Sequence, residues 1–189
     1  MPLFYEDLSY EDLVDWAGAQ GVTRASRQMV QAWRIPEADK TVLVEVGVPN
    51  SEDLPLTRVC FQREAEPTLC SNDGRLLYLV AENQISDRPN AVLTSSWVVE
   101  PGTGTVYYVQ PDGDPWFANS SVVLWLQCMH HYGLRVDTCD LLLNADDHDE
   151  DAVLAELEDL AAELRDCDPP AFAGYTGFIW PEFLARWLW

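Results

Sequence analysis

The densest run of possible metal ligands in this chain is Asp146, Asp147, His148, Asp149, Glu150 and Asp151. Asp147, Asp149, Asp151 and Glu158 fall at positions 1, 3, 5 and 12 of an EF-hand loop, where alternating carboxylates and a distant bidentate Glu wrap a calcium ion. Position 6, however, is Ala152 where the sharp turn requires Gly, and a helical apolar repeat already begins at Val153. A calcium loop and a helix cannot share these residues. The run is therefore read as an acidic helix start, favoured by the helix dipole, with no metal expected.

Cys128, His130, His131 and Cys139 are the other candidates for chemistry. Adjacent histidines on a helix point about 100° apart, so they do not converge on one ion. A Cys/His nucleophile needs hydrogen-bond reach and an orienting carboxylate, which no motif here supplies. Gly102, Thr103, Gly104 and Thr105 lack the lysine and the spacing of a phosphate loop and read as a hairpin turn. No catalytic residue, cofactor or metal site is assigned, and a hydrolase built on Cys128 or a histidine is the weakest of three functional readings.

Composition narrows the partners. The chain has 189 residues, 48% of them apolar, which is enough for one folded domain. Its 32 acidic residues against 11 basic ones give a net charge of -21. Phosphate neutralisation needs basic residues, so nucleic acid is excluded as a ligand, and an acidic membrane surface is disfavoured for the same reason. A basic protein partner is favoured, the alternative being acidity that serves solubility alone. Cys60, Cys70, Cys128, Cys139 and Cys167 are odd in number and lack CxxC spacing, so reduced thiols are expected. The N-terminal residues carry acids where an export signal carries bases, and no apolar run is long enough to span a bilayer; a cytoplasmic protein is expected.

The elements that would position these residues centre on Trp97 to Tyr132. Trp97 to Val99 and Val106 to Val109 read as a hairpin turned by Pro101, Gly102 and Gly104. Asp112 to Pro115 ends the second strand, and Trp116 and Phe117 lead to a helix capped by Asn119 or Ser120. Val122, Val123, Leu126, Met129 and His130 would face the sheet and Gly133 would close the helix. Trp125 lies off that face, which makes it a candidate exposed anchor for a partner.

Upstream, Ser9 and Asp12 open a short helix, and Met29, Val30 and Trp33 mark a second. Thr41 to Val46 has strand chemistry, yet Pro36, Glu37 and Asp39 start a helix and Gly47 with Pro49 stop one; helix is chosen, with Ala38, Val42, Leu43 and Val46 inward. Strands are expected at 57–62 and 75–81, separated by a turn at 71–74, with 86–90 a loop. Leu141, Leu142 and Leu143 complete a packing surface. Val153, Leu154, Leu157, Leu160, Ala161 and Leu164 define an amphipathic helix whose outer face is Glu156, Glu158, Asp159, Glu163 and Asp166. Pro181 opens a last helix, with Phe183, Leu184, Trp187 and Leu188 inward. Strands followed by helices predict an α+β order.

Several of these segments resemble one family. Leu43 to Pro49, with Gly47 and Pro49, the strand Leu77 to Glu82, the turn Gly104-Thr105-Val106, and an aromatic residue followed by Asn119, Ser120 and Ser121 resemble the SUKH superfamily, in particular its SUKH-4 immunity branch. Asp168 and Pro169 ahead of Trp180 resemble the C-terminal part of that branch. The resemblance spans residues 35–185, with 1–34 as a helical lead-in to the same single domain. It implies a mainly antiparallel sheet of four or more strands covered by helices. It also implies a non-enzymatic bacterial immunity protein that occludes a cognate toxin, often a nuclease with a basic cleft. The family does not fix the interface; charge alone places a phosphate-mimicking acidic face at Asp146, Asp147, Asp149, Glu150, Asp151, Glu156, Glu158, Asp159 and Glu163, with Trp125 as anchor. The rival reading within the resemblance is a regulatory scaffold that binds an endogenous protein.

Overall fold

The computed structural model describes residues 8–51, 54–88, 91–145 and 149–185. Four short elements come first: helix α1 (Tyr10–Ala17), strand β1 (Val22–Thr23), helix α2 (Arg27–Gln31) and helix α3 (Glu37–Glu45). Ser9 and Asp12 close a capping box on α1: the Ser9 hydroxyl accepts from the Asp12 amide, and the Asp12 carboxylate accepts from the Ser9 amide. Strand β2 (Val48–Pro49) pairs antiparallel with β1, placing Pro49 opposite Val22. The inward face of α3 is Asp39, Val42, Leu43 and Val46. Ala38, expected there, is exposed, and the buried carboxylate of Asp39 takes its place.

The main sheet is built from β3 (Arg58–Val59), β4 (Leu69–Cys70), β5 (Leu76–Arg88), β6 (Ala91–Val99), β7 (Val106–Val109) and β8 (Pro115–Asn119). Its order is β3-β5-β6-β7-β8, with β4 also on β5, and every pairing is antiparallel. Side chains alternate between faces along each strand. Tyr78, Val80, Trp97, Val99, Val106 and Tyr108 point into the main core, while Leu77, Val98 and Val109 form a smaller cluster on the opposite face with Leu69, Leu79 and Tyr107.

Two expectations about strands are corrected. Pro115–Asn119 forms a strand, not a lead-in to a helix, with Tyr107 opposite Phe117 and Tyr108 opposite Trp116. Proline is tolerated there because β8 lies at the sheet edge, where a missing donor costs no ladder bond. The loop expected at 86–90 is instead largely strand: β5 runs to Arg88 and β6 starts at Ala91, paired from Tyr78 opposite Val99 to Arg88 opposite Ala91. Ser86, Asp87 and Arg88 are all polar and show no alternation, so the pairing of this part of β5 with β6 leaves no period in the sequence.

Helix α4 (Val122–Thr138) lies across the inward face of the sheet, followed by α5 (Asp140–Leu143), α6 (Glu150–Cys167), a 3-10 turn at Pro169–Phe172, and α7 (Ile179–Ala185). The cap of α4 is Ser121, whose hydroxyl accepts from the Leu124 amide at 3.2 Å. The helix passes through Gly133 and ends at Thr138, five residues beyond the expected stop. Gly133 is required for contact, not for termination: a side chain there would run into the indole of Trp16 on α1. Trp125 is fully buried, its ring 5.3 Å from Trp97, and Trp97 in turn lies 4.8 Å from Tyr108. In the last stretch Leu142 and Leu184 are buried and Leu143 is exposed, whereas Trp187 and Leu188 lie outside the described residues.

Asn119 and Ser120, relieved of capping, bind Asp168 at the end of α6. One Asp168 oxygen accepts from the Ser120 amide at 2.8 Å and from the Asn119 side-chain nitrogen at 2.9 Å; the other accepts from the Ser120 hydroxyl at 2.8 Å. The Asn119 carbonyl oxygen accepts from the Trp180 indole at 2.9 Å, which brings in α7. Asp168 is 1% exposed and Asn119 is 0% exposed. Removing one member leaves buried donors without partners. Asp168→Ala is expected to lower unfolding stability by about 2–4 kcal/mol, and Asp168→Asn, which keeps one acceptor, by less. Denaturant midpoints check this; an Ala variant within about 0.5 kcal/mol of the parent would show that the network carries no stability.

Candidate functional site

The acidic residues on α6 do not form one uniform face. Asp149 caps the helix by accepting from the Asp151 amide at 3.1 Å, and Glu150 and Asp151 fill the first turn where the dipole favours negative charge. The EF-hand spacing is thus occupied by a helix start, with Glu158 two turns along the same helix. Asp146 and Asp147 lie outside the described residues. Among the described residues no group of three or more His, Cys, Asp or Glu side chains stands where it could hold an ion.

Glu156 and Glu163 turn toward α4. Glu156 pairs with the Arg135 guanidinium at 3.0 Å, and Glu163 meets the same guanidinium at 3.0 Å and His131 Nε2 at 2.6 Å. These two carboxylates hold α6 against α4. Glu150, Asp151, Glu158 and Asp159 remain exposed to solvent. The reason is periodicity: Val153, Leu157, Leu160 and Leu164 are buried, Glu156 and Glu163 flank that stripe, and Glu158 and Asp159 stand opposite it.

One step round the helix from the buried stripe lies an apolar groove of about 490 Å³. Leu154, Leu157 and Ala161 of α6 form one wall; Phe172, Tyr175 and Leu184 form the other. Leu154 is 41% exposed and Tyr175 55% exposed. Glu150 stands at one end, Glu158 midway along and Arg165 at the other end, its guanidinium 5.3 Å from the Phe172 ring centre. The extra apolar positions 154 and 161 are visible in the sequence as a stripe too wide for one buried seam. The opposite wall is not visible there, because it comes from the irregular stretch 172–175 and from α7.

Trp125 cannot serve as a surface anchor. Its helix is buried over a wide arc that includes Val122, Leu126, Cys128, Met129, His130, Tyr132, Gly133 and Val136. A helix sandwiched between a sheet and other helices has no free face on the side where a surface helix would have one. The other family-motif residues are structural. Gly47 has a φ of 95° before β2, and Pro49 is buried in the small sheet. Gly104 has a φ of 77°, and a side chain there would strike the Asp39 carboxylate. Asp39 in turn accepts from the Val123 amide at 3.2 Å, at the start of α4. Burial raises the Asp39 pKa above its ordinary value, opposed by the backbone amides of Val123 and Val122.

The sulfur and imidazole groups are dispersed among different partners. Cys128 is buried and its sulfur accepts from the Asn119 side chain at 3.4 Å; its hydrogen bond with Cys167 and then burial push its pKa up, against a nucleophilic thiolate. His130 packs edge-on to Trp16 with ring centres 5.9 Å apart. All five cysteines are free thiols.

Burial lowers the His130 pKa from 6.5, opposed by the Asp12 carboxylate and reinforced by neighbouring His131. A base whose folded pKa is depressed adds stability above 6.5, lost as pH falls from there through the folded value, because the unfolded chain takes up the proton first. The stability advantage of the parent over His130→Gln is therefore expected to shrink as pH drops below 6.5. Denaturant midpoints of the two proteins across that range check it; a constant difference would mean that His130 does not titrate differently on folding.

No helix of the described residues is long and apolar enough to cross a membrane. The chain matches no curated protein and no solved structure at a significant level. A family model described as SUKH-4 immunity protein matches residues 8–186, which takes in α1 and α2 ahead of the region whose motifs carry the resemblance. With nearly its whole length matched, on an α+β fold of sheet and covering helices, the chain belongs to the SUKH-4 immunity protein family.

Proposed function

We propose that this protein is the immunity partner of a basic protein toxin in a bacterial polymorphic toxin system, acting in the cytoplasm by occlusion and without catalysis. The observation that carries the reading is the set of exposed carboxylates along α6, Glu150, Asp151, Glu158 and Asp159, on a chain of net charge -21 in an immunity family. A nuclease toxin presents a basic cleft to its substrate, and such a cleft is drawn electrostatically to carboxylates arrayed along a helix. Asp149 sets the start of that array, and Glu156 and Glu163 fix its angle by pairing with Arg135. Asp146 and Asp147 extend the same run in the sequence. Exposed charge of this kind acts mainly on the association rate and on the choice of partner.

Co-expression with the toxin domain encoded beside this chain's gene is expected to restore growth, and the two proteins should co-purify. Reversing Glu158 and Asp159 to Lys should slow association about tenfold or more at low salt and flatten its salt dependence, with little change in melting temperature. Stopped-flow binding at several ionic strengths measures both. Association as fast as that of the parent would remove this face from the interface, and binding to an endogenous protein in place of the toxin would favour the scaffold reading.

A further inference from the structure

The proposed immunity reading locates charge but leaves unexplained why a helix so rich in carboxylates also keeps Leu154 open to water, with Tyr175 open on the wall facing it. Positions 150, 154, 157, 158, 161 and 165 follow one another at helical spacing and line one side of the groove. That side runs about 22 Å at 1.5 Å per residue, or four turns. An apolar trough of that length, walled by α6 on one side and by Phe172, Tyr175 and Leu184 on the other, matches the shape of a helix laid into a groove. Its rim is acidic over the first half, with Glu150 at the start and Glu158 midway, and basic at the far end, with Arg165.

We infer that the groove between α6, the turn after it and α7 receives an amphipathic basic helix of the partner toxin. The apolar face of that helix would cover Leu154, Ala161 and Tyr175, and its Lys or Arg residues would lie over Glu150 and Glu158. This inference rests on the immunity reading and extends it from a charged face to a site with a floor. Apolar anchors in a pocket supply most of the binding energy, while rim charges supply rate and selectivity. A second copy of this chain is the poorer occupant, because it brings the same charge of -21 to an already acidic rim.

The test measures affinity by calorimetry for the toxin domain encoded beside the gene and for a Leu/Lys amphipathic peptide of about 15 residues. Three variants are compared with the parent: Leu154→Glu, Tyr175→Ala on the opposite wall, and Glu150→Lys combined with Glu158→Lys. Leu154 and Tyr175 are half-exposed, so these variants should melt with the parent. Each is expected to weaken toxin binding at least tenfold, and the peptide should compete with the toxin. Parent-like toxin binding by all three variants overturns the groove and leaves the immunity reading standing. If the parent binds no toxin, the immunity reading fails, and the peptide decides the groove: binding lost in Leu154→Glu upholds it, no binding overturns it. A gain in affinity on changing Trp187 and Trp189 to Ala would make the chain's own last residues the occupant and overturn the proposal. So would a homodimer in sedimentation that Leu154→Glu dissolves.

Discussion

The Asp168 carboxylate is the interaction on which the placing of α6 and α7 against the sheet edge depends. It gathers the Ser120 amide, the Ser120 hydroxyl and the Asn119 side chain into one buried cluster, and the Trp180 indole closes it from α7. These residues are 48 to 61 positions apart in the chain, so no local preference assembles them. A buried carboxylate is costly unless its lone pairs are used, and here three donors use them. Both walls of the groove are anchored at this point: α6 ends at Asp168, and α7 carries Trp180. The turn beginning at Pro169 bridges the two.

A second buried carboxylate, bonded through one oxygen only, stands at the other end of the β8–α4 link. Asp39 of α3 reaches the first amides of α4 and lies beneath Gly104 of the β6–β7 turn. The helix that covers the sheet therefore begins between two carboxylates, one from an element before the sheet and one from an element after it. Arg135, near its far end, then gathers Glu156 and Glu163. Negative charge in this protein thus has two uses. Some carboxylates join elements, and others, among them Glu158 and Asp159 of α6, face water.

Local signals are legible in the sequence wherever one residue type fixes one geometry. The Ser9–Asp12 capping box, the α3 start at Pro36, the β6–β7 hairpin and the full run of α6 are found where capping chemistry and periodicity put them. The errors arise where tertiary contact decides. Asn119 and Ser120 have capping chemistry, yet a carboxylate 48 residues away takes them and Ser121 caps the helix in their place. Gly133 looks like a helix stop but is a contact point for Trp16. Trp125 looks exposed on a helical wheel because a wheel cannot show that α4 is covered on more than one side. The acidic run is readable as charge, but its division into paired and free carboxylates depends on Arg135, 21 and 28 residues from its two partners, and the groove depends on a wall with no period of its own.

The order of strands has a consequence for synthesis. Strands β5 to β8 pair with their neighbours in sequence, so the sheet can close as the chain leaves the ribosome, each hairpin using residues already made. The groove cannot. Its residues fall between 150 and 185, and the Asp168 cluster that sets its walls joins them to residues of the sheet edge made some fifty positions earlier. A nascent chain can therefore be mostly folded by residue count and still have no place for a partner. In a cell that makes both members of a pair, protection would then depend on how many finished copies exist, not on how many have been started.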